Sequence, residues 1–139
     1  MSTSGGDRLD HARAPIENCL AAFSFAYDRG ELDELTGCFT ADVLVEYYDI
    51  GAIRGRDAVL AEFGRRRALY PAGHTPWHQI TNLHLRAAEN GAVLARSFVT
   101  FIVHRRDAEP TAPVLAWYED VFVQERGQWR ISERRMPAP

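Results

Sequence analysis

The stretch Ala92-Val93-Leu94-Ala95-Arg96-Ser97-Phe98-Val99-Thr100-Phe101-Ile102-Val103-His104-Arg105 decides the fold class. It reads with a period of two, as a strand does. Val93, Ala95, Ser97, Val99, Phe101 and Val103 share one face; Leu94, Arg96, Phe98, Thr100, Ile102 and His104 share the other. Large apolar groups occur on both. A sheet that is apolar on both sides has something packed on both. One side is expected to take helices and the other a second copy of the chain, so a homodimer through the outer sheet face is expected.

Working outward, Asn90-Gly91 is a hairpin signal, because both residues tolerate positive φ. It joins the stretch to an earlier strand, His78–Ala87. Beyond the looser connection 107–113 come two more strands, Val114–Glu125 and Gln128–Glu133, around the turn Glu125-Arg126-Gly127. Consecutive strands with short connections imply an antiparallel meander.

The first half has a different period. Ile16, Leu20, Phe23 and Tyr27 recur at helical steps from His11 to Asp28, with Pro15 suited to a first turn and Gly30 to a C-cap. Leu32–Phe39 reads as a short second helix and Val43–Ile50 as a strand. Arg56–Tyr70 is a third helix with Val59, Leu60, Phe63 and Leu69 facing inward. Helices first and a long sheet afterwards argue for an α+β fold with helices on one face.

Composition bounds the rest. The chain has 139 residues, 46% hydrophobic and 25% charged, with net charge −3. This suits one domain, expected over 11–136 after a flexible leader at 1–10. The small polar Met1–Gly6 lacks a signal-peptide core, and no window approaches the ~18 apolar residues of a membrane span. A cytoplasmic protein with no membrane partner is expected. Arg65-Arg66-Arg67 is the longest basic run and reads as a solvated helix face, so nucleic acid is not an expected partner. Cys19 and Cys38 have apolar neighbours and form no CxxC motif; they read as reduced core thiols.

Two residues stand out chemically. Asp28 ends an apolar helix, at the partially negative pole of its dipole, where a carboxylate needs compensation. His78 opens a strand after the loop broken by Pro71, Gly73 and Pro76. Its imidazole suits proton transfer near neutral pH if a carboxylate orients it. Each alone fits a structural role at least as well. His74 and His78 are four apart, but Pro76 prevents the helix that would make them a metal pair. HExxH, CxxC, GxGxxG, GxxxxGK[ST] and GxSxG patterns are all absent from the sequence. No metal or organic cofactor is expected.

A resemblance adds to this reading. The run from Phe23 through Tyr27-Asp28-Arg29-Gly30 to Phe39-Thr40-Ala41-Asp42 resembles the opening of the SnoaL-like branch of the nuclear transport factor 2-like superfamily. His78-Gln79-Ile80-Thr81-Asn82 is similar to that branch's His-x-x-x-Asn strand. Ala116-Trp117-Tyr118-Glu119-Asp120-Val121-Phe122, with Gly127-Gln128-Trp129-Arg130-Ile131 and Arg134, resembles its last two strands. The resemblance spans nearly the whole chain. It implies a cone-shaped α+β barrel, three N-terminal helices packed on a curled antiparallel sheet around a pocket.

Relatives include polyketide cyclases, scytalone and bile acid dehydratases, a hexachlorocyclohexane dehydrochlorinase and ketosteroid isomerase. In the dehydratase and dehydrochlorinase members an Asp at the end of the first helix pairs with a His opening a strand, positions that fall on Asp28 and His78. The dehydratase pattern often has Tyr where this chain has Phe23. Tyr27, Tyr47, Tyr48 and Tyr118 are the alternative phenols.

The expected function is a cofactor-independent lyase, isomerase or cyclase. Asp28 and His78 would act as a general acid/base pair on a hydrophobic small molecule. Pocket walls are expected from Phe23, Tyr48, Phe63, Trp77, Phe98, Tyr118 and Phe122, with Arg96 or Arg134 meeting a developing oxyanion. Two alternatives stay open: a non-catalytic binding or interaction module of the same fold, and a dioxygenase small-subunit-like protein.

Overall fold

Among the described residues, six strands form a single sheet. The computed structural model describes residues 5–139. In chain order the elements are α1 (Gly5–Arg29), a 3₁₀ segment (Leu32–Cys38), β1 (Phe39–Tyr47), β2 (Gly51–Arg54), α2 (Arg56–Ala68), β3 (His74–Ala87), β4 (Val93–Arg105), β5 (Val114–Glu125) and β6 (Gln128–Met136). Strands β3 to β6 are the expected antiparallel meander. The expected all-antiparallel sheet is corrected at one seam, because β1 runs parallel to β6. Hairpin signals govern only consecutive strands, and β1 reaches β6 across the whole meander, so no turn fixes their relative direction. The strand order is β2-β1-β6-β5-β4-β3, so the curled, mixed sheet leaves β2 and β3 as edges, and α1, the 3₁₀ segment after it and α2 complete the cone.

The core lies on the concave face. Alternation sends Val93, Ala95, Ser97 and Val99 of β4 inward, and Ala116, Tyr118, Asp120 and Phe122 of β5. The apolar stripe of α1 is buried against them: Ile16, Leu20, Phe23 and Tyr27. Phe23 is the hub, with ring contacts to Tyr27, Phe39, Phe63, His78 and Tyr118 at centroid distances of 6.0–6.3 Å.

Two bulges alter the parity. In β3 the register shifts between Thr81 and His84, where Asn82 takes φ 58°. His78 and Ile80 therefore turn toward the core on even numbers and Leu83 and Leu85 on odd ones. A shift between β5 and β6 likewise buries both Ile131 and Arg134, three apart.

Several boundaries differ from expectation. Helix α1 starts at Gly5, so residues 5–10 of the expected leader are helical and Leu9 packs against the core. Residues 1–4 of that leader lie outside the described residues. Pro15 therefore sits inside the helix rather than in its first turn. Leu69, expected to face inward, is exposed, because α2 ends at Ala68 just before it. Among the described residues, no helix is long and apolar enough to cross a membrane.

Candidate active site

Asp28 and His78, fifty positions apart in the chain, meet through two hydrogen bonds. The His78 backbone N–H donates to Asp28 Oδ2 at 2.8 Å, and His78 Nδ1 lies 2.6 Å from Asp28 Oδ1. The side chains are only 11% (His78) and 15% (Asp28) exposed. An ionised carboxylate can only accept, so in the neutral ring the proton sits on Nδ1 facing it and the lone pair on Nε2. The backbone N–H also compensates the carboxylate at the unfavourable end of α1.

Local structure fixes both partners. Helix α1 stops in a Schellman turn: Gly30, at φ 75°, donates to the Tyr27 carbonyl at 3.1 Å, and Glu31 donates to Ala26 at 2.9 Å. The carbonyls of Tyr27 and Asp28 also take donors from α2, Arg67 Nε at 2.9 Å and Nη2 at 2.8 Å. A cation there meets the negative end of the helix dipole. Arg67 is thus a clamp on the turn that carries Asp28, which corrects its reading as part of a solvated face. Arg66 is also engaged, with Asp49 at 2.6 Å, and only Arg65 is largely exposed.

His78 pairs in register with Phe101 of β4, both facing inward. The imidazole is boxed edge-on by Phe101 at 4.9 Å, Tyr27 at 5.0 Å and Phe23 at 6.0 Å. It forms part of the wall of a cavity of ≈ 230 Å³ that Asp28 does not line. The inner wall is Phe23, Tyr47, Phe63, Val99, Ala116 and Tyr118; Tyr48, Asp49, Arg66 and Tyr70 also contribute. Asp28 faces a shallower groove between α1 and β3, so His78 separates groove from cavity.

The phenols of this wall are held neutral. Burial pushes Tyr27, Tyr47, Tyr70 and Tyr118 above the ordinary tyrosine value, Tyr118 most of all. They are available as hydrogen-bond donors, and His78 is the imidazole of the wall.

Behind Tyr118 lies an ion pair with no exposed surface. Arg134 donates to Asp120 through Nε at 2.8 Å and Nη2 at 2.9 Å. Its guanidinium stacks 3.8 Å from the Tyr118 centroid and 4.5 Å from that of Phe23. Burial works against the Arg134 charge, but Asp120, helped by Tyr47 and Tyr118, holds the proton well above its ordinary value. Arg134 Nη1 and Tyr47 Oη are buried with no hydrogen-bond partner among the described residues. Arg134 and Tyr118 still lie near enough to act on the Tyr47 hydroxyl.

Phe23, Tyr48, Phe63 and Tyr118 line the cavity as expected from the sequence. Five expected site residues do not. Trp77, Phe98 and Arg96 point to the outer face, since each is out of phase with the inward residues of its strand. Phe122 is inward but sealed in the core. Arg134 backs the wall without lining it. Sequence reasoning missed Phe101, Asp49, Arg66, Tyr70 and the partner role of Asp120. Strand register exposes Phe101 and Asp120; the others sit on a turn, within α2 and just beyond it, where no periodic signal marks them. Among the described residues no cluster of three or more His, Cys, Asp or Glu side chains could hold a metal ion.

Known proteins share this arrangement of elements. A SnoaL-like domain model matches residues 10–135. An uncharacterized protein of Mycobacterium tuberculosis (strain H37Rv) is 27% identical over 126 residues, covering 88% of this chain and 82% of its own length. A putative scytalone dehydratase from Novosphingobium aromaticivorans superposes with a TM-score of 0.82 at 22% identity, covering 96% of this chain and 88% of that one. ActVI-ORFA from Streptomyces coelicolor gives 0.79 at 17%, covering 91% and 96%. LinA gives 0.77 at 19%, covering 96% and 90%. At these identities the superpositions speak for the fold alone, and they agree on the nuclear transport factor 2-like cone. With the domain model matched over residues 10–135, the chain belongs to the SnoaL-like family.

Proposed function

We propose that this protein is a cofactor-independent enzyme of the lyase, isomerase or cyclase type, acting on a small hydrophobic molecule with an acidic C–H bond. The observation that carries the reading is the two-point Asp28–His78 contact behind an imidazole that lines an aromatic cavity. Nε2 of His78 takes the proton. The imidazolium so formed is paired at Nδ1 with the Asp28 carboxylate, which stabilises it where it arises. Negative charge moves to a substrate oxygen, where neutral buried phenols are suited to meet it, with Tyr47 backed by the Arg134 charge. His78 then returns the proton to a leaving oxygen or to another carbon. A cavity of ≈ 230 Å³ lies below the ~300–1,000 Å³ of drug-sized sites, so the substrate is small.

Proton exchange tests this without knowledge of the product. A panel of one- and two-ring ketones and enones is incubated in D₂O and deuterium uptake at the α-carbon is followed by NMR. Wild type is expected to accelerate uptake for at least one member, and His78→Ala to lose about 10²–10⁴-fold of that rate while staying folded. Uptake that His78→Ala leaves unchanged sinks the proposal. Ligand binding by the wild type with no exchange in any bound member favours a binding module instead.

We also propose a homodimer through the outer face of β3, β4 and β5. Trp77, Phe98 and Leu115 stand on that face, 49%, 55% and 66% exposed. Thr81, Phe98 and Trp117 lie in line across it, as do Gln79, Thr100 and Leu115. This uncharged centre suits the same surface of a second copy. Light scattering at micromolar concentration is expected to give twice the chain mass, and Phe98→Glu the single mass. A monomeric wild type overturns it.

A further inference from the structure

We propose that Cys19 and Cys38 form a redox couple that closes to a disulfide between α1 and the 3₁₀ segment when a peroxide or a low-molecular-weight disulfide is present. The geometry is reciprocal: Cys19 Sγ lies 3.8 Å from the Cys38 carbonyl oxygen, and Cys38 Sγ lies 3.8 Å from that of Cys19. Each sulfur is thus held over the other residue's backbone. Both thiols are free, Cys19 half-buried and Cys38 buried.

The surroundings assign the two sulfurs different roles. Interaction with the Cys38 side chain, with burial adding to it, raises the proton affinity of Cys19. Interaction with the Cys19 side chain lowers that of Cys38 against its burial, with help from Arg134 and Arg130. Cys38 is therefore the thiolate-forming member and Cys19 the resolving one. With peroxide, the Cys38 thiolate takes one oxygen to become a sulfenic acid and releases hydroxide, which removes the Cys19 proton as water. The Cys19 thiolate then attacks the sulfenic sulfur and expels hydroxide, which takes up the proton that Cys38 lost. Two thiols and one peroxide give one disulfide and two waters. A small disulfide oxidant instead leaves as two thiols.

The closed segment 19–38 contains Phe23, Tyr27, Asp28 and the Gly30 turn. Oxidation therefore staples the stretch that carries the carboxylate of the candidate site, although the proposal does not depend on that site being catalytic. Constraining such a loop in the unfolded chain raises thermal stability.

The wild-type protein is treated with hydrogen peroxide or oxidised glutathione, then denatured under acid and alkylated for mass spectrometry. The expected product is a monomeric chain lighter by about 2 Da, with no alkylatable thiol and with residues 19 and 38 in one cross-linked peptide. Its Tm should rise by roughly 5–10 °C and fall back on reduction. Cys19→Ser should instead trap sulfenic acid at Cys38. Two alkylatable thiols after treatment overturn the proposal. So does an adduct of glutathione on Cys19 that persists without closing, or a disulfide formed only between chains.

Discussion

Asp28 holds His78 at both its backbone N–H and its ring Nδ1, so one carboxylate sets the position of the strand and the orientation of the imidazole together. A surface aspartate that merely capped its own helix would make neither contact. The ring cannot flip without losing Oδ1, and the strand cannot slide without losing Oδ2. The nitrogen left to a ligand is therefore fixed by the other.

Substituting Asp28→Asn should preserve the shape of this contact and reverse its electronics. The amide oxygen can still accept from the His78 N–H, but its NH₂ then faces Nδ1 and forces the proton onto Nε2. The fold should survive, and ¹⁵N chemical shifts of His78 should show the neutral tautomer switched relative to wild type. Proton-exchange activity should fall about 10²–10⁴-fold. An unchanged tautomer would show that Asp28 does not control the ring.

Arg67 offers a test of positioning from a distance. Its two hydrogen bonds close the C-terminal end of α1, where orphan carbonyls otherwise need partners. Arg67→Met keeps most of the apolar stem and removes both donors. Urea denaturation should show a loss of about 1–3 kcal/mol, with the D₂O exchange rate falling while His78 is untouched. Arg67→Lys, which lacks the fork, should recover only part. Stability equal to wild type in Arg67→Met would make the clamp incidental.

Much of this was legible because it is periodic or local. The two-residue alternation of β4, the helical stripe of α1 and the Gly30 cap all follow from neighbours in sequence, and the structure keeps them. What was not legible depends on partners far away. The bulge at Asn82 resets which residues of β3 face inward, and no turn residue announces it. Trp77 and Phe98 look like pocket wall by composition, yet strand parity sends them outward. Arg67 looks like one of three solvated arginines until the end of α1 is brought against it. Asp28 and His78 are matched in the sequence only by the family pattern, since the 49 residues between them carry no local sign of the contact.

The phenols of the cavity give a pH signature. Tyr27, Tyr47, Tyr70 and Tyr118 are pushed up by burial in the folded protein, while in the unfolded chain they ionise near pH ~10. Above that pH the folded state binds more protons than the unfolded one. Stability from these groups is thus fully present below about pH 10 and is lost as pH rises beyond it. Tyrosinate absorbance at about pH 11 should fall well short of the full change for five tyrosines in native protein and reach it in urea. A full native change with the fold intact would mean that these hydroxyls are open to solvent.

The Asp120–Arg134 pair separates stability from chemistry. Both side chains have no exposed surface, so removing one leaves the other buried without its partner. Arg134→Met and Asp120→Leu should each cost about 3–5 kcal/mol by denaturant titration. The double variant replaces two charges with apolar volume and should cost much less than the sum of the singles. If the pair only fills the core, the double variant should recover proton-exchange activity along with its stability. If Arg134 polarises Tyr47 toward a substrate oxygen, stability should return while the exchange rate stays at least about tenfold low, a deficit of ~1.4 kcal/mol in the barrier. The second outcome is expected, because the Arg134 charge bears on the buried Tyr47 hydroxyl, which lines the cavity.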